Sequence, residues 1–189
     1  MPVLKKIVIQ NFRNIEFQEL SFSPNVNCVS GNNGEGKTNL MDAIWYLSMT
    51  KSAFSSSDRY SFRHGTDSFA LSGTYSMNSG LETRFSVQCG SKGEKKVRRD
   101  DKVYDRIASH IGVLPIVMVS PSDISLVSES GEDRRRFVNS VLSQMDSEYL
   151  AAMQQYNRLL AQRNRMLKEG NFDEGSSRFL MKGWMPRQS

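Results

Sequence analysis

Apolar and polar positions alternate from the start of the chain, and the alternation changes period at a short glycine-rich stretch. VLKKIVIQNF places Leu4, Ile7 and Ile9 among basic residues, and IEFQELSF repeats the pattern at Ile15, Phe17 and Leu20. Both predict half-buried strands. NVNCVSG carries Val26, Cys28 and Val29 into the stretch GNNGEGKTN and predicts another strand. Beyond it TNLMDAIWYL sets Leu40, Ala43, Ile44 and Leu47 at helical spacing, so the order is strand, loop, helix.

Residues 51–65 show no period and predict a surface loop. FALSGTYSM and LETRFSVQC alternate on either side of Asn78, Ser79 and Gly80, which predicts a β-hairpin, and GSKGEKKVRRDDK predicts a turn into a third short strand. Together these make a small antiparallel lobe. VLPIVMV, residues 113–119, has the length and composition of a buried strand despite Pro115. Two helices follow, 132–145 and 147–168. The first has Phe137, Val138, Val141, Leu142 and Met145 on one side. The second has Leu150, Met153, Tyr156, Leu160 and Leu167 as its stripe and Ser147 as its N-cap. From residue 170 onward glycine, serine, single aromatics and charge mix without period, and the segment predicts an irregular tail.

Composition narrows the class only a little. With 189 residues, 38% hydrophobic and 24% charged, the chain can build one sizeable core with a small attached lobe. A net charge of +5 permits a polyanionic partner without requiring one. No run approaches the roughly 20 apolar residues that cross a bilayer, so a cytoplasmic protein with no membrane partner is expected. Cys28 and Cys89 sit singly in strand-like runs and are expected to be small buried thiols.

The candidate chemistry lies in the glycine stretch. Gly31, Gly36, Lys37 and Thr38 meet the pattern G-x-x-x-x-G-K-[ST], with Gly34 as a further permissive position. Converging backbone N–H groups on one anion needs dihedrals that glycine accepts and other residues resist. A helix opening at Lys37 adds its own unpaired amides and the positive end of its dipole. In this arrangement residues 31–39, comprising Gly31, Asn32, Asn33, Gly34, Glu35, Gly36, Lys37, Thr38 and Asn39, cradle a nucleotide triphosphate. Lys37 reaches the β- and γ-phosphates and the Thr38 hydroxyl ligates Mg²⁺. The plainer alternative, a turn that merely joins strand to helix, is disfavoured by the strand before it and the amphipathic helix after it.

The chain shows no complete hydrolytic set, so no catalytic residue is assigned and little turnover is expected. Asp123 follows an apolar run but stands three residues beyond it, and it is either a nucleotide-site residue or the cap of a turn. Arg134, Arg135 and Arg136 are consecutive, so a helix spreads them over about 200° of its surface. They are candidate DNA contacts; a solvated face with one arginine paired to Glu132 or Asp133 is the plainer reading. Trp45 and Tyr46 are expected in packing, not as a base-stacking platform.

Several of these motifs, taken in order, resemble the RecF family of bacterial DNA replication and repair proteins, whose ATPase head is like those of SMC and Rad50. The resemblance is carried by Asn11–Asn14 between the first two strands, by GNNGEGKTNLMDAIWYLS, by SPSDISLV followed by EDRRRFVN, and by Gln162, Arg163, Asn164, Leu167 and Lys168. Two departures stand out: Lys51 and Ser52 are followed by Ala53 and Phe54, where the family often has an arginine, and Asn139 stands where it usually has aspartate.

The resemblance implies an α/β P-loop NTPase fold with an ABC-ATPase-like head. Its parts would be an incomplete mixed sheet, a small antiparallel β lobe and a helical segment. Residues 1–112 would form the N-terminal part of the head with its lobe, and 113–169 a strand and helical lobe. Residues 170–189 would be a tail, the family's C-terminal half being absent. It further implies ATP and Mg²⁺ as cofactors, and a Q-loop-like place for Asp123. DNA near single-strand gaps, RecO and RecR would be partners, and ATP would act as a dimerisation switch between two copies. Two rivals are a P-loop ATPase of the transporter or kinase type, of which LSGTY at Leu71 is a partial echo, and a catalytically inert half-domain.

Overall fold

The computed structural model describes residues 1–124 and 131–169. Six strands, β1 (Val3–Phe12), β2 (Ile15–Ser21), β3 (Ser68–Ser76), β4 (Glu82–Gly90), β5 (Lys95–Arg99) and β6 (Lys102–Val103), form one sheet in the order β2-β1-β3-β4-β5-β6. Every pairing is antiparallel. The expected first strands and the expected lobe are therefore continuous, joined where β1 pairs with β3. Helix α1 (Lys37–Met49) lies on one face, and α2 (Gly131–Met145) and α3 (Ser147–Glu169) pack on each other.

The inner face is built by strict alternation. Phe69, Leu71 and Tyr75 of β3 and Phe85, Val87 and Cys89 of β4 are buried, while their neighbours face outward. Leu40, Ala43, Tyr46 and Leu47 of α1 pack with Phe69, Leu71, Val87 and Cys89, while Tyr75 and Phe85 cluster with Leu114. Phe12, Tyr46 and Phe69 meet edge-on with centroids 5.1 to 5.9 Å apart, the arrangement that ring quadrupoles favour. Each such side chain contributes roughly 1.5–3 kcal/mol through burial.

Irregularities in β1 and the turn after it decide which residues point inward. A register shift between Leu4 and Lys6 lets Leu4 pack beside the buried cluster of Tyr75, Phe85 and Leu114 although its parity differs from that of Ile7 and Ile9. Asn11 adopts a left-handed backbone, φ 53°, and Phe12 is fully buried opposite Ile15. Phe17 instead lies across from Gln10 and is 65% exposed, against the expected alternation.

Two expected strands are not strands. Residues 25–31 and 115–119 run without regular structure, and Val26, Val29, Val117 and Val119 are exposed. Their composition suits a buried strand, but a strand needs a neighbour for its N–H and C=O groups, and among the described residues none lies beside either. Cys28 is consequently exposed, whereas Cys89 is buried as expected. The cap of α3 also differs from expectation. Asp146 accepts from the amides of Glu148 and Tyr149, at 2.8 and 3.1 Å, so it and not Ser147 caps the helix. On α3 the buried residue is Leu159, while Tyr156 and Leu167 of the expected stripe are exposed.

Candidate nucleotide site

The segment 31–36 leaves the sheet region and turns into α1 through three glycines at positive φ, Gly31 at 146°, Gly34 at 88° and Gly36 at 100°. Gly36 is the N-cap and its left-handed backbone is one that side-chain-bearing residues resist. A Cβ there would also lie 2.9 Å from Asn14 Oδ1. No side chain caps α1, and its first closing bond runs from Leu40 N–H to the Gly36 carbonyl, 2.9 Å. The amides of Lys37, Thr38 and Asn39 therefore point out of the helix end without an acceptor among the described residues. That is the donor set an anion needs, and it fits a phosphate group.

The side chains of the loop are held by its own backbone. Lys37 Nζ donates to the carbonyls of Gly31 and Asn32, at 2.9 and 2.7 Å, which holds the ammonium across the loop mouth. Glu35 accepts from Asn32 twice, from the backbone amide at 2.9 Å and from Nδ2 at 2.8 Å. Thr38 is exposed at the first turn of α1. Asn33 is exposed at the loop crest, and Asn39 donates to Asn14 Oδ1 at 2.6 Å.

The other candidates have local partners of their own. Asp123 accepts from Ser120 N–H at 2.5 Å while its own N–H donates to the Ser120 carbonyl at 3.0 Å, the reciprocal bonding of a capped turn over Pro121–Ile124. Arg134, Arg135 and Arg136 are exposed near the start of α2, and Arg136 pairs with Glu132 and Asp133, both at 3.6 Å. Tyr46 is core, and the LSGTY echo lies inside β3.

Four residues around the loop and α1 were not assigned to the site from sequence. Asp42, on the α1 face that packs inward, is fully buried and pairs with Arg13 at 2.8 Å. Ser52 Oγ donates to the same carboxylate at 2.9 Å and accepts from Arg13 at 2.9 Å, and the Ala53 amide adds a bond at 2.8 Å. Asn14 bridges the loop, donating to the Gly34 carbonyl at 3.2 Å. A carboxylate between Leu40 and Ala43 on a helix stripe was the available signal, because a buried acid requires a cation.

A glycine loop opening a helix that packs on a sheet is the arrangement of a P-loop NTPase, and the structures it matches are heads of the ABC type. The family described as AAA domain matches residues 6–178. The DNA replication and repair protein RecF of Phocaeicola vulgatus is 46% identical over 175 residues, 91% of this chain and 47% of that protein. A solved structure of the recombination mediator protein RecF-ATP in the RecFOR pathway superposes with a TM-score of 0.81 at 30% identity, covering 89% of this chain and 45% of the other. A structure described under ATP-driven dimerization and DNA-stimulated activation of SMC ATPases has a TM-score of 0.59 at 15% identity, covering 74% of this chain and 99% of the other, and shows the fold alone. The chain belongs to the AAA domain family, and the relatives it matches over about nine-tenths of its length are RecF proteins. It spans about half the length of the curated relatives it matches.

Proposed function

We propose that this chain binds ATP with Mg²⁺ at Gly31–Asn39, as part of a RecF-like DNA repair and recombination factor. The observation that carries the reading is the run of unpaired amides at Lys37, Thr38 and Asn39 behind three left-handed or extended glycines. Lys37 would meet the β- and γ-phosphates, and the Thr38 hydroxyl would hold Mg²⁺. ATP, when bound, supplies a triphosphate that two copies can share, so that it acts as a dimerisation switch. DNA near single-strand gaps, RecO and RecR are the partners in this reading, with RecA loading as the outcome; the similarity to RecF proteins supports it. Residues 1–112 would serve as the ATP-binding part of the head with its β lobe, and 113–169 as the adjoining helical lobe, with Asp123 at their junction.

The test is the thermal midpoint of the chain with and without Mg-ATP. A ligand that binds only the folded state raises the midpoint. The midpoint should rise for the wild type and stay put for Lys37→Ala, because that variant loses the ammonium at the loop mouth. No rise in a folded wild-type sample, or an equal rise in the variant, would refute the site.

A further inference from the structure

The β1–β2 turn is an unusual neighbour for a phosphate loop, because it is fixed independently of that loop. Phe12 is fully buried, Arg13 N–H donates to the Ser61 carbonyl at 2.9 Å, and Arg63 N–H donates to the Asn11 carbonyl at 3.0 Å. The Arg13 guanidinium is held by Asp42 and Ser52. Asn11 and Arg13 both keep a left-handed backbone, φ 53°, in this turn. Such conformations persist when their surroundings enforce them, and they gather where a side chain must be aimed.

The side chain presented next to them is Asn14. Its Nδ2 donates to the Gly34 carbonyl at 3.2 Å, and its Oδ1 accepts from Asn39 Nδ2 at 2.6 Å. The same amide fills the space that a side chain at Gly36 would take, with Oδ1 and Nδ2 at 2.9 and 3.1 Å from that Cβ position. One amide thus touches the loop before, at and after the turn into α1, flanking Lys37 and Thr38. Donor and acceptor ends each meet a complementary partner, which fixes the orientation of the amide. The loop's other internal bonds, through Glu35 and Lys37, tie it only to itself.

We propose that Asn14 is a positioning residue of the nucleotide site, holding Gly34, Gly36 and Asn39 in the spacing at which the amides of residues 37–39 converge on a phosphate. This rests on the reading of residues 31–39 as an ATP site. Asn14 needs no contact with the nucleotide to do this. Its side chain is exposed and supports no part of the core, so its removal leaves the fold in place.

The experiment is calorimetric titration of the full chain with Mg-ATP, together with unliganded melting, for the wild type, Asn14→Ala, Asn39→Ala and the double variant. Losing the two Asn14 bonds should weaken binding by about tenfold while the unliganded midpoint moves by no more than about 2 °C. Because Asn14 acts through Asn39, the two effects should fall short of additive in the double variant. Asn39→Ala approaches the same bond from the helix side. Wild-type affinity in Asn14→Ala, or fully additive effects, would overturn the proposal while leaving the ATP site standing. A folded wild type that gives no heat with Mg-ATP would refute the site itself, and the role of Asn14 with it.

Discussion

Arg13 and Asp42 meet at 2.8 Å between the β1–β2 turn and α1, with the Asp42 side chain fully buried and the Arg13 side chain 21% exposed. The pair joins the edge hairpin to the helix that carries the phosphate loop, and Ser52 draws the chain after α1 into the same contact. Three segments far apart in sequence are thereby held around one carboxylate. A buried ion pair contributes little over an apolar replacement, but breaking it from one side leaves a charge stranded.

Arg13→Ala should therefore destabilise the chain by roughly 3 kcal/mol, within the range for an orphaned buried charge. Ser52 Oγ and the Ala53 amide remain to Asp42 and hold the loss to the lower end of that range. Urea unfolding followed by circular dichroism measures it, and a loss below about 1 kcal/mol would show that solvent or another cation takes the place of Arg13.

His110 offers a prediction in pH. It is fully buried; its Nε2 lies 2.7 Å from the Leu47 carbonyl, and Nδ1 has no partner among the described residues. Tyr104 and Phe85 flank the ring and Arg99 lies over the Phe85 ring, so no carboxylate is among these neighbours to stabilise an imidazolium. Burial lowers its pKa from 6.5, partly offset by the bond to Leu47. The unfolded chain thus binds a proton that the folded chain resists, and stability falls as pH drops below about 6.5. Urea midpoints between pH 7.5 and pH 5.5, spanning that value, should decline in the wild type and decline less in His110→Gln. Equal slopes would place the proton uptake elsewhere.

The two thiols should differ sharply. Cys28 is exposed in the irregular segment before the loop, and Cys89 is buried on the inner face of β4 beside the Tyr46 hydroxyl, 3.3 Å away. Burial raises the Cys89 pKa, and the Tyr46 bond and Lys95 only partly oppose it. Thiolate is the reactive form, so one equivalent of a thiol-specific chromogenic reagent should react promptly in the native chain and the second only after denaturation. Two prompt equivalents would mean that β4 opens readily.

What was legible in the sequence follows from how local each signal is. The phosphate loop, α1, the β3–β4 hairpin and α2 are written in short-range patterns, and the loop's glycines are needed by the backbone at the very positions where they stand. Asn14 and Ser52 were not legible as site residues, because their partners lie 25 and 10 positions away and neither has a local pattern of its own. Residues 25–31 and 115–119 were misread for the opposite reason. Composition reports that a segment suits a sheet; it cannot report whether a neighbouring strand is there to pair with it.

Residues 115–119 give the last prediction. Ile116 is held by the Gln144 side chain, which accepts from its amide at 2.9 Å and donates to its carbonyl at 3.1 Å, a side-chain imitation of a strand pair. That single clip holds a segment in which Pro115, Val117 and Val119 are exposed and Ile116 and Met118 are half-buried. Among the described residues no strand covers the remaining backbone groups. An exposed, apolar, unpaired segment is a candidate for association with another copy. Concentrated samples of the isolated chain should self-associate through it, and replacing Val117 and Val119 together by lysine should suppress that association in sedimentation velocity runs. The melting midpoint of the monomer should change by no more than about 2 °C, since both side chains are already in solvent. Association that persists undiminished in the double variant would locate the sticky surface elsewhere, with the exposed Val138, Leu142 and Met145 of α2 the next to replace.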